Sequence, residues 1–185
     1  MKPATFVLAA ALASSFNIFA ADTPHHGNHT PQATTETEEQ PYAGQESRAV
    51  KSLSNDETKA LLSGAGMGLA KPAELNHYPG PKHAIDLAAE LEMTSEQVAA
   101  ARNAFDAMKR DATRLGSEIV AKEASLDQLF ASGKATDAEV AAATSEIAAL
   151  QGRLRATHLR AHLRMHEIMT PEQIAAYDAK RGYAR

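Results

Sequence analysis

The sequence predicts an all-α protein built on a long antiparallel helical hairpin with short flanking helices. Three observations carry this. Over the C-terminal half, apolar residues recur at spacings of three and four, the period of a helix with one buried face. Nowhere do apolar and polar residues alternate with the period of a half-buried strand. Helix-start signatures of the form Ser/Thr-x-x-Glu/Gln recur at Ser54–Glu57, Thr94–Gln97, Thr136–Glu139 and Thr170–Gln173.

The 185 residues suit one domain behind a leader. Residues 1–20 read as a signal peptide: Lys2 precedes an apolar run from Phe6 to Phe19, and Ile18-Phe19-Ala20 offers a small-residue cleavage site. The run is too short for a membrane anchor, and no later stretch approaches a span. Export to the periplasm is the expectation, and it argues against a nucleic-acid partner; without Lys2 the net charge of −4 becomes 18 − 23 = −5. The chain has no Cys and no Trp and only 5% aromatic residues, so it must hold together without disulfides and with a thin core. A homodimer is expected, because two long helices cannot fully bury their own apolar stripes.

Residues 21–41 are rich in Thr, Pro, Gln and Glu without apolar periodicity and read as a disordered tether. Within it, His25, His26 and His29 form a possible weak, unselective metal-scavenging arm or simply a polar linker. Residues 42–80 read as short helices and an irregular link. Ser54 and Glu57 launch a helix through Leu62, which Gly64-Ala65-Gly66-Met67-Gly68 ends.

Pro81 opens residues 81–185 with a helix whose apolar face is Ile85, Leu87, Ala88 and Leu91, with His83 in its first turn. The longest helix follows, over 95–131. Val98, Ala101, Phe105, Met108, Ala112, Leu115, Ile119, Leu126 and Leu129 form its stripe, interrupted at Lys122. Ser132-Gly133-Lys134 turns the chain. The return helix carries Val140, Ala143, Ile147, Leu150, Leu154, Ala161 and Ile168 inward, and a last helix runs from Pro171 to about Lys180. Thr170 caps it, Pro171 takes the first position where its missing N–H is harmless, and Met169 with Ile174 forms a hydrophobic staple.

The chemistry of the chain concentrates on the return helix. His158, His162 and His166 recur every four residues, with Met165 and Met169 interleaved. Residues four apart share a helix face, so each adjacent pair can offer two imidazoles to one ion. At about 100° per residue from Leu154, His158 falls about 40°, His162 about 80° and His166 about 120° from the centre of the stripe. His158 should be half-buried, His162 at the boundary and His166 solvated. Imidazoles beside a thioether suit Ni, Co, Cu or Zn, and His83, Glu90, Glu92, Met67 or a second subunit would have to complete the site. The competing reading makes these surface histidines and core methionines, with Arg153, Arg155, Arg160 and Arg164 disfavouring a cation.

Arg102, Arg110 and Arg114, together with Arg153, Arg160 and Arg164, could instead form a basic surface for unfolded acidic chains or an acidic partner, or a solvated face paired with Asp106, Asp111 and Glu118. No phosphate loop, Gly-x-Ser-x-Gly, His-Glu-x-x-His or Cys-His arrangement occurs. The sequence therefore points to a binding protein and not to an enzyme.

The two junctions Met93-Thr94-Ser95-Glu96-Gln97 and Met169-Thr170-Pro171-Glu172-Gln173 resemble the Leu-Thr-x-x-Gln motifs of the Spy/CpxP family, with Met for Leu in both copies. The resemblance spans roughly 78–183. These are periplasmic stress proteins, related to zinc-resistance-associated proteins and periplasmic heavy-metal sensors. The likeness implies a cradle-shaped helical dimer in envelope or heavy-metal stress. Its partners would be a membrane-bound signalling protein or, for an ATP-independent holdase chaperone, unfolded envelope proteins. In the sensor branch, histidines and a methionine on such helices hold the metal, and the region of His158, His162 and Met165 looks like the corresponding part.

Overall fold

The computed structural model describes residues 40–183. The expected signal peptide and most of the tether, with His25, His26 and His29, lie outside the described residues. Six helices follow in order: α1 (Asn55–Leu62), α2 (Lys71–Glu74), α3 (Pro81–Asp86), α4 (Ser95–Ala131), α5 (Asp137–Ile168) and α6 (Pro171–Arg181). Among the described residues there is no strand, and no helix is long and apolar enough to cross a membrane.

All four capping boxes form: Ser54, Thr94, Thr136 and Thr170 each accept from the backbone N–H three residues on, and the Glu or Gln there reaches back. Each satisfies two helix-start donors that would otherwise lack a partner. The far ends use a left-handed residue instead. At Gly64, His77, Glu92 and Gly182 the chain adopts positive φ, and the next N–H returns five residues to a carbonyl, closing the last turn.

Helix α3 is shorter than its apolar face suggests. It ends at Asp86, and turns continue to Glu92. The Ala88 N–H reaches back three residues to Ile85 rather than four, tightening the turn, and the Met93 N–H closes on the Ala88 carbonyl with Glu92 at φ 50°. This path carries Leu91 into the core at 2% exposure.

α4 and α5 form the hairpin, and its buried faces divide into two apolar clusters. The lower one gathers Ala84, Leu91, Ala101, Met165, Met169, Ile174 and Tyr177. The upper one gathers Leu61, Ala112, Leu115, Ile119, Leu150 and Leu154. Leu61 belongs to α1, which lies so close to α4 that a Cβ at Gly116 would overlap the Leu61 carbonyl. A glycine that costs about 1 kcal/mol in a helix interior is here the condition for α1 to dock. Beyond Lys122, which pairs with Glu146 across the hairpin, burial thins, and Phe130 near the tip is 58% exposed.

The two junction motifs meet. Gln97 and Gln173 exchange amide hydrogen bonds of 2.9 Å, while each oxygen also accepts from its own cap N–H, at Thr94 and Thr170 (both 3.0 Å). The remaining amide hydrogens go to carbonyls: Gln97 donates to Ile168 (2.8 Å) and Gln173 to Glu92 (3.3 Å). One closed ring of amides thus joins the starts of α4 and α6 to the ends of the segments before them. A double-mutant cycle of Gln97→Ala and Gln173→Ala, read by chemical denaturation, should show a coupling of about 1–2 kcal/mol, within the range for residues sharing one network. Additive losses would mean the two caps act separately.

Candidate metal centre

Between the two apolar clusters the hairpin is not closed by its own side chains. On α5 the buried stripe passes from Leu154 in the upper cluster through His158 and His162 to Met165 in the lower one. On α4 it passes from Ala112 through Met108 and Phe105 to Ala101. The gap is covered by residues 63–81, the strap that joins α1 to α3 and contains α2. Together they line an open cleft of about 600 Å³ that His83, His158, His162, Glu74, Met108 and Arg181 border, among others.

The strap explains why both histidines are more buried than helix geometry implies. His158 is 4% and His162 8% exposed, where half-buried and boundary positions are expected. The angular reckoning counts only the partner helix, whereas here the strap adds a second wall. The Tyr78 carbonyl lies 2.8 Å from His162 Nδ1, and Gly80 sits so close that a Cβ there would touch the His162 ring. His166 stays exposed, as expected, with its ring stacked on Tyr78 at 4.5 Å.

A polar clamp holds the strap down. Tyr177 of α6 is fully buried, and its hydroxyl donates to Glu74 Oε1 (2.6 Å) while accepting from the Gly80 N–H (3.2 Å). Burial, and then the carboxylate it donates to, push the phenol well above the usual tyrosine range. Arg181 Nε lies 3.5 Å from the same Glu74 oxygen. Farther along, His77 Nδ1 meets Asp178 Oδ2 at 2.7 Å.

The proton positions follow from the partners. A carbonyl oxygen can only accept, so His162 Nδ1 carries a hydrogen, with Glu74 Oε2 3.6 Å from the same nitrogen. A hydrogen bond from one ring nitrogen to a backbone carbonyl fixes the direction in which the other nitrogen points, as in metal-binding imidazoles. His158 Nε2 is buried with no hydrogen-bond partner. Burial is the main cause that lowers the His158 pKa, with His162 and then Lys109 adding to it. His83 shifts the same way, by burial and then by Arg181. Neutral imidazoles are the form that binds metal.

Of the residues singled out in sequence, His83, His158, His162 and Met67 line the cleft. The structure does not bring the others to it. Met165 has no exposed surface and packs in the lower cluster; His166 lies in a separate hollow beside His77. Glu90 pairs with Lys180 at 2.6 Å, and Glu92 is a left-handed turn residue at the surface. Among the described residues, no three His, Cys, Asp or Glu side chains are grouped so as to hold an ion. Arg102, Arg110, Arg114, Arg153, Arg160 and Arg164 are all exposed. Arg114 and Arg153 share Glu118, and Arg164 pairs with Glu167. Glu74, Tyr177 and Arg181 went unrecognised in the sequence, where nothing in residues 63–80 shows what that segment covers.

A family model described as heavy-metal resistance matches residues 58–176, well over half of the chain. The chain belongs to this heavy-metal resistance family. Comparison with curated proteins and comparison with solved structures each gave no significant match. The family implies a metal; toward one the described residues bring two imidazoles, a buried nitrogen without a partner at His158 and a ring held through Nδ1 at His162, and no group of three donors.

The pH dependence follows from the His158 shift. Its folded pKa lies below the ordinary 6.5, so between the two values the unfolded chain binds more protons. Its contribution to stability is intact above about pH 6.5 and is lost as pH falls through the folded value. Melting temperature should therefore drop on acidification below that point, and His158→Gln should flatten the slope. An unchanged slope in the variant would place the titration elsewhere.

Proposed function

We propose that this heavy-metal resistance protein is an exported, periplasmic metal-responsive sensor or accessory protein. It binds one transition-metal ion, Ni, Co, Cu or Zn, through His158 and His162. The observation that carries this reading is the buried, partnerless Nε2 of His158, one helical turn from an imidazole whose other nitrogen is held by the Tyr78 carbonyl. Leaving such a nitrogen unpaired costs about 1–3 kcal/mol, a cost that a ligand would remove.

Metal at these imidazoles would act on the strap, since Tyr78 and Gly80 touch the His162 ring directly. An ion that binds better with the strap seated shifts the population toward that state, and the shift is what a membrane-bound signalling partner reads. A homodimer would present two such straps.

Calorimetric titration of the full chain with Ni, Co, Cu and Zn tests this. Binding at micromolar or tighter affinity should be lost in His158→Ala/His162→Ala and survive removal of residues 21–40. Binding lost only with those residues would reduce the protein to a metal-scavenging tail.

A further inference from the structure

The open cleft carries an imbalance of charge that its histidines do not use. Lys71, Lys82, Lys109 and Arg181 border it, against the single carboxylate of Glu74. That carboxylate is already engaged: Oε1 accepts from the Tyr177 hydroxyl (2.6 Å) and lies 3.5 Å from Arg181 Nε, and Oε2 lies 3.6 Å from His162 Nδ1. Lys82 is drawn away to Asp86 at 2.6 Å. Lys71 and Lys109 have no ion-pair partner among the described residues, where the paired lysines are Lys51, Lys82, Lys122 and Lys180. The backbone N–H groups of Gly66, Met67 and Gly68, on the same rim, also donate to nothing among the described residues. A second observation agrees. After burial, Arg181 is the next cause that holds the His83 pKa down, so the field of the cations reaches into the cleft.

Beside these cations the wall is apolar. Phe105 and Met108 of α4 and Pro81 of α3 form it, and Met67 on the strap is 44% exposed, at a left-handed φ of 46°. Small-molecule sites are mostly apolar hollows with a few convergent charges, and low-dielectric walls focus the attraction of those charges. From these features we propose that the cleft binds a small amphiphilic carboxylate. Its head meets Lys71 and Lys109, and its apolar body lies on Phe105, Met108 and Met67. A bare anion would leave the apolar wall in water, and a neutral apolar molecule would leave both lysines unanswered. This ligand goes beyond the metal reading and does not depend on it: it uses neither imidazole nitrogen and requires no ion.

The test uses the full chain stripped of metal on a chelating resin. Four probes are titrated by calorimetry: 2-naphthoate, its neutral amide, the cationic 2-naphthylmethylamine, and inorganic phosphate as an anion without an apolar body. Naphthoate should bind one to one, about tenfold or more tighter than each of the other three. Lys71→Gln/Lys109→Gln should weaken naphthoate about tenfold and leave the amide within about twofold. With methyl-labelled methionine, naphthoate should shift the Met67 and Met108 signals and leave Met165 and Met169, which pack in the lower cluster, in place.

Equal binding of the three naphthyl probes would make the cleft an apolar slot indifferent to charge, and phosphate bound as tightly as naphthoate would make it a bare anion site. Either result overturns the proposal, as does binding that leaves Met67 and Met108 unmoved, or no binding at all. None of these outcomes touches the metal reading, which the nickel titration of the same chain decides separately. Melting curves of the lysine variant, matched to the parent, establish that a loss of binding is not a loss of fold.

Discussion

The buried hydroxyl of Tyr177 is the contact on which the rest of the molecule's organisation depends. It joins three things that the chain otherwise leaves apart: α6, the Glu74 carboxylate of α2 and the backbone N–H of Gly80. A buried phenol without partners is costly, and so is a buried carboxylate, so each fixes the other. With the clamp closed, the strap lies over α5, the Tyr78 carbonyl reaches His162, and Gly80 abuts the same ring. Without it, His158 and His162 would be two ordinary histidines on the flank of a hairpin.

The placement of the clamp follows from how the apolar residues are divided. Two clusters pack the hairpin, and the amide ring of Gln97 and Gln173 fixes the geometry at its base. The break between them is where polar side chains line a buried face. A continuous core would have been more stable, since hydrophobic burial is the main favourable term in folding. The chain instead places imidazoles, a carboxylate and cations there. A binding site set between two packed clusters inherits their rigidity, while its lid is a segment whose seating depends on a handful of polar contacts. That combination gives a ligand something to change.

Much of the fold is legible in the sequence because its signals are local. The capping boxes at Ser54, Thr94, Thr136 and Thr170 need only a hydroxyl and an acid or amide three residues on, and all four form. The hairpin stripe from Ala101 to Ile119 and from Ile147 to Met165 is a matter of period. The strap is not local. His77 and Glu92 take left-handed conformations without the glycine that would announce them, and α3 stops before its apolar face does. The candidate site shares that fate. Its histidines are visible as a ladder, but their burial comes from Tyr78 and Gly80, 84 residues before His162 in the case of the Tyr78 bond. Met165, singled out beside them, belongs to the packing of the lower cluster. Periodicity shows which residues share a helix face and says nothing about what lies across it.

The most direct test of this picture is the protonation pattern of the histidine rings, read from long-range proton–nitrogen correlation spectra with and without zinc. His162 should carry a hydrogen at Nδ1, and His158 should titrate below the ordinary imidazole range. Zinc should shift the Nε2 signal of His162 and one nitrogen of His158, and leave His166 unmoved. A His162 ring protonated only at Nε2, or a His158 ring titrating as a free imidazole does, would show that the strap does not hold them as described. The metal site built on that hold would then fall with it.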